Sequence, residues 1–231
     1  MRDDTHLPQA LQGLRLPMIA APLFIISVPE LVIAQCKAGV VGSFPALNAR
    51  EAEGEPPLLE AWLTRITEAL DRHNQAHPDQ PAAPFAVNQI VHRSNVRLDR
   101  ELEICARHKV PIWITSLGAR VEVNEAAHSC GGVVLHDVIN DTFARKAIAK
   151  GADGLVAVAA GAGGHAGQQS PLALIQEIRG WFDGPLALSG AIATGQSLLA
   201  ARAIGADFGY VGSPFIATDE ANAQSEYKQM I

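Results

Sequence analysis

The chain has 231 residues, 48% of them hydrophobic and 18% charged, and a formal net charge of −6 at pH 7. That length suits one α/β barrel domain spanning residues 1–231, with apolar material for a full core. The acidic balance and the lack of any Lys/Arg cluster exclude nucleic acid and an anionic membrane as partners. No apolar run reaches the roughly 18 residues of a membrane span.

The opening MRDDTHLPQALQG is acidic and has no apolar segment, so it does not read as a signal peptide. Cys36, Cys105 and Cys130 lie far apart on stretches that read as helical. Free thiols in a reducing cytoplasm are the expectation.

One pattern recurs along the chain: a turn, an apolar strand, a loop, an amphipathic helix. Strands are predicted at 17–23, 39–44, 84–90, 110–117, 132–139, 154–160, 185–191 and 208–215. Most are continuous apolar runs, as strands covered on both faces should be. CGG, KGADG and IGADFG precede strands and read as helix C-caps. Between the strands, Leu58, Leu59, Trp62, Leu63, Ile66, Ala69 and Leu70 share one helical face, with Pro57 at its start. Asn140 or Asp141, Ser170 followed by Pro171, and Thr194 read as helix N-caps. The polar stretch at 75–83 reads as a solvated connector.

Eight strands alternating with helices predict a parallel α/β protein, and the count of eight favours a closed (β/α)8 TIM barrel. The alternative, an open doubly wound sheet, calls for GxGxxG after the first strand, where AAPLFIIS has no glycine. After the eighth strand only TDEANAQSEYKQMI follows, room for a short closing helix, or else the supplied chain is part of a longer one.

The active face of such a barrel lies at the C-terminal strand ends. SGAIATG (189–195) and GSPFIAT (212–218) offer small residues with backbone amides before a helix, a way to hold phosphate without cationic side chains. Ser189 and Ser213 add hydroxyls. Strand one ends in Pro22, strand three in Asn88 and Gln89, strand four in Thr115 and Ser116, strand five in His136 and Asp137. Side chains alternate, so one of each adjacent pair reaches the mouth. His136 reads either as a ligand contact or as a structural histidine bonded to backbone.

LVAVAAGAGGHAG (155–167) is a strand opening into four glycines around a single imidazole, His165. A neutral imidazole with an ordinary pKa of roughly 6.5 is a usable general base near neutrality. No HExxH, CxxC or GxSxG pattern is present. With so little acid–base machinery, a cofactor is expected to carry the hard chemistry.

GAGGHAG, SGAIATG and GSPFIATDEA, in order after PMIAAPL, AGVVGSFPA, FAVNQ and GADG, resemble the nitronate monooxygenase family over nearly the whole chain. The resemblance implies an FMN-dependent (β/α)8 barrel that oxidises alkyl nitronates with molecular oxygen. It implies that Ala21, Pro22 and Leu23 lie along the flavin ring and that Asn88 meets its polar edge. Gly163 and Gly164 would pack beside the cofactor, with His136 counted among the cofactor contacts. Ser189, Gly190, Ala191, Gly212 and Ser213 would hold the phosphate, and His165 would take the proton next to the nitro group or orient the nitronate. The partners expected are a small nitronate and oxygen, with a homodimer allowed.

This chain departs from the family pattern at Leu23, often Met, at Gly161-Ala162, often Glu or Cys before the GGH or AGH, and at Ala191, often a second Gly. Family chains usually continue past strand eight into a segment that helps cover the active site; the barrel here either lacks it or belongs to a longer chain. Two other readings stay open: an NAD(P)H-dependent quinone or enoyl reductase on the same flavin barrel, and an incomplete, non-catalytic flavin-binding chain.

Overall fold

The computed structural model describes residues 4–51, 57–164 and 166–231. The strands are β1 (Met18–Ala20), β2 (Gly42–Pro45), β3 (Phe85–Ile90), β4 (Ile112–Ser116), β5 (Val133–Val138), β6 (Gly154–Val158), β7 (Leu186–Ser189) and β8 (Phe208–Val211). Between them run α1 (Pro29–Lys37), α2 (Leu58–Ala76), α3 (Leu98–Arg107), α4 (Val121–Ser129), α5 (Asp141–Ala149), α6 (Pro171–Arg179) and α7 (Gly195–Ala203). Two short helices, α8 (Ser213–Ile216) and α9 (Ser225–Gln229), follow β8.

All eight predicted strands form, and consecutive strands from β2 to β8 pair in parallel. β8 returns to pair with β1, and a parallel bridge between Ile19 and Val41 joins β1 to the approach of β2. The chain is therefore a (β/α)8 barrel, not an open sheet. The predicted strand 208–215 needs correction: it stops at Val211 and Ser213–Ile216 turns into α8. Pro214 has no N–H for a ladder, while its fixed φ suits the first turn of a helix.

Alternation divides each strand between two cores. Ile19, Val41, Ala86, Ile112, Ile114, Leu135, Val156, Ala187 and Phe208 fill the barrel interior. Val87, Trp113, Val134, Leu155, Leu186 and Val211 pack outward against the helices. Both faces are dry, which is why the strands read as unbroken apolar runs.

On α2 the stripe Leu59, Leu63, Ile66 and Leu70 is buried, and Trp62 sets its edge against Phe44 at 5.5 Å. Each such aliphatic burial contributes about 1.5–3 kcal/mol. The predicted caps also form. Asn140 accepts from the Phe143 amide at 2.9 Å and Ser170 from the Ala173 amide at 3.3 Å. Thr194 and Ser197 cap each other reciprocally.

The N-terminal segment stoppers the barrel floor. Leu7 and Leu11 are buried in the interior cluster. Beside them Asp207 accepts from Arg179 Nη2 at 2.5 Å and from the Leu186 amide at 2.9 Å, while His6 Nε2 lies 3.1 Å from its other oxygen. Arg179 also donates to the carbonyls of Phe182, Gly184 and Gly205. Among the described residues no helix is long and apolar enough to cross a membrane.

Candidate active site

At the opposite end, where the strands finish, the loops enclose a cavity of about 1400 Å³. That exceeds the roughly 300–1,000 Å³ of ordinary ligand pockets. Its wall includes every cofactor residue expected from the sequence: Ala21, Pro22, Leu23, Asn88, His136, Gly163, Gly164, Ser189, Gly190, Ala191, Gly212 and Ser213. The predicted base, His165, lies outside the described residues.

The loop after β1 is clamped rather than free. The Ala21 amide donates to the Val211 carbonyl at 2.8 Å, and the Leu23 amide to Ser27 Oγ at 2.9 Å. Asn48 donates to the carbonyls of Leu23 and Ser27 and accepts from the Ile25 amide. It thereby holds Ile25 in left-handed backbone at φ 67°, rare for a β-branched residue. Nothing in the sequence around Asn48 signals this role, because its partners are more than 20 residues away.

Alternation settles which member of each polar pair enters the mouth. Asn88, Ser116 and Asp137 line the cavity and share strand parity with the interior residues Ala86, Ile114 and Leu135. Gln89 turns outward and donates to Cys105 Sγ of α3 at 3.3 Å. Thr115 and His136 share the outward parity and bond to each other, Oγ1 to Nδ1, at 2.6 Å. His136 thus contributes to the cavity wall while its Nδ1 is engaged. Burial, and secondarily the charge of Lys150, push its pKa down to about 4.

The inward residues form a relay. Asn88 Nδ2 donates to the Ile114 carbonyl at 3.1 Å and to Ser116 Oγ at 2.7 Å. Ser116 Oγ donates to Asp137 Oδ2 at 2.5 Å. Burial raises the Asp137 pKa to about 6, opposed by the Ser116 bond. Tyr210 of β8 also lines the cavity, and burial followed by the Asp137 charge raises its phenol well above the usual range. Its place at the mouth follows only from the β8 register, not from any motif.

After β7 and β8 the expected amides are partly committed within the loops. The Ala191 amide donates to the Gly161 carbonyl at 3.0 Å, and those of Ala193 and Thr194 donate to Ser197 Oγ. Among the described residues no acceptor pairs with the amides of Ile192, Gly212 or Ser213, while the Gly190 amide ends the ladder between β7 and β8. A Cβ built on Gly163 or Gly164 meets nothing within 4 Å, so these positions leave the wall open to a ligand.

The family model for nitronate monooxygenase matches residues 7–231. The chain belongs to the nitronate monooxygenase family. These are flavin-dependent oxidoreductase barrels, and the free amides, open glycines and large concave mouth fit such a cofactor. A nitronate monooxygenase of Neurospora crassa is 28% identical over 243 residues, covering 93% of this chain and 63% of that protein. This chain therefore spans less than two thirds of that relative's length. Nitroalkane oxidase from Streptomyces ansochromogenes superposes with a TM-score of 0.79 at 25% identity, over 96% of this chain and 72% of the other. A FabK mutant from Thermotoga maritima gives 0.80 at 23% identity, over 99% and 71%. At that identity the second likeness concerns the fold.

Proposed function

We propose that this chain binds FMN and oxidises alkyl nitronates with molecular oxygen. The observation that carries the reading is the set of amides after β7 and β8, without acceptors among the described residues, on the wall of one cavity with the clamped β1 loop. Gly212 and Ser213 would hold the phosphate through their amides, with Ser189 adding a hydroxyl and Gly190 a close backbone contact. Ala191, its amide already committed, would contribute contact only. Ala21, Pro22 and Leu23 would support the ring, Gly163 and Gly164 would pack beside it, and Asn88 would meet its polar edge. The outward parity of His136 leaves it a contact through the wall. Bound flavin supplies electron transfer from substrate to oxygen. From its place in GAGGHAG, His165 would orient the nitronate, or, with a neutral nitroalkane, first take the proton from the carbon next to the nitro group.

The purified protein should be yellow and should consume oxygen when given a nitronate without NAD(P)H. Uptake no faster than free FMN supports rejects the reading. Steady NADH oxidation with a quinone or an enoyl thioester, and none with a nitronate, selects the reductase instead. His165→Asn should keep the flavin and lose turnover of the neutral nitroalkane. Unchanged turnover would make the histidine structural.

A further inference from the structure

The polar relay in the mouth has a direction. Asn88 Nδ2 must be the donor to the Ile114 carbonyl, which fixes the orientation of the amide and makes Ser116 Oγ the acceptor of its second N–H. The one hydroxyl hydrogen of Ser116 then goes to Asp137 Oδ2. Oδ2 is committed as an acceptor, so a proton on this carboxyl sits on Oδ1. Oδ1 is buried and has no hydrogen-bond partner among the described residues. Asp137 itself forms part of the cavity wall, and the residue as a whole is half-buried.

We infer that Asp137 is a second proton-exchanging residue of this site, taking a proton on Oδ1 as a ligand covers the cavity wall. The inference rests on the flavin reading only for the identity of the ligand. A ligand seated on the wall displaces the solvent of the cavity beside Asp137, and a buried carboxylate without a counter-charge is strongly disfavoured.

The groups around it do not supply one. Ser116 faces it from β4, Asn88 stands behind Ser116 on β3, and Tyr210 on β8 stays neutral. Lys146 and Lys150 of the α5 side line the same cavity. Lys150 donates to the Ala119 carbonyl, and neither lysine is among the causes of the Asp137 shift, which are burial and Ser116. Protonation also has a use: the substrate proposed above is an anion, and a neutral acid does not repel it.

The test is calorimetric titration of FMN into flavin-free protein at pH 7 in two buffers of different ionisation enthalpy, which counts protons taken up. Wild type should take up close to one proton more than Asp137→Asn; the flavin phosphate contributes equally to both and cancels. Equal uptake overturns the inference. A ligand-free readout separates this failure from failure of the flavin reading. The Asp137 carboxyl, followed by carbon-13 NMR, should titrate near pH 6, and Ser116→Ala, by removing the donor to Oδ2, should move it higher. If FMN does not bind, the flavin reading falls and this titration alone decides. A carboxyl titrating in the ordinary aspartate range overturns the inference, whichever way the flavin experiment turns out.

Discussion

The Ala191 amide donates to the Gly161 carbonyl at 3.0 Å, tying the loop after β7 to the loop after β6 while Ala191 sits in left-handed backbone at φ 54°. A non-glycine residue there costs roughly 1–2 kcal/mol, partly offset by the greater freedom glycine has when unfolded. Ala191→Gly should therefore stabilise the protein by about 0.5–1 kcal/mol, read as a rise of about 1–4 °C in Tm. A lower Tm would mean that the methyl group makes a contact worth more than the strain.

Gly190, one residue earlier, behaves in the opposite way. It has φ 142°, and a Cβ built there would stand 2.9 Å from the Ala160 carbonyl oxygen. Gly190→Ala should cost about 1–3 kcal/mol, because the nearest atom is backbone and cannot swing aside. It should also weaken FMN retention, measured as the flavin-to-protein absorbance ratio after gel filtration. Full retention would remove Gly190 from the proposed phosphate site.

At the barrel floor, Arg179 and Asp207 are both mostly buried, and each makes further hydrogen bonds to backbone. Removing one partner leaves the other as an unpaired buried charge, so Arg179→Met should lower the unfolding free energy by about 3–5 kcal/mol. His6→Ala, at the more exposed end of the cluster, should cost less. Neither change should alter the affinity of the folded protein for FMN, since the cluster lies at the far end of the strands. A shift in Kd comparable to the stability loss would contradict that separation.

His136 and Asp137 predict opposed pH effects on stability. The folded pKa of His136, about 4, lies below the ordinary 6.5, so the unfolded chain takes the proton first. Its contribution is present above pH 6.5 and is lost as pH falls towards 4. The folded pKa of Asp137, about 6, lies above the ordinary 3.8, so its contribution is full below pH 3.8 and is lost as pH rises through 6. Between pH 4 and 6 the two slopes oppose. Asp137→Asn should be more stable than wild type at pH 7 by about 2–3 kcal/mol and should lose a similar amount on acidification from pH 6.5 to 4. Urea midpoints across this range check it; parallel curves for the two proteins would refute the assignment.

The barrel was legible because its signals are local. Continuous apolar strands, Gly-containing caps such as those at Gly131, Gly151 and Gly205, and N-caps at Asn140, Ser170 and Thr194 each act within a few residues. The wall of the cavity was legible through loops that carry their own backbone chemistry. What escaped depends on register between distant strands. Whether His136 or Asp137 enters the mouth follows from pairings such as Leu135 with Gly154, which a one-residue slip would invert. The clamp by Asn48 and the presence of Tyr210 in the wall likewise arise only once β1, β2 and β8 are brought side by side.

Leu7 and Leu11, lodged beneath the first strand, have an effect on molecular traffic. With the base of the cylinder filled by their side chains, nothing can pass through it, and any small molecule that reacts in the chamber must depart by the rim it entered.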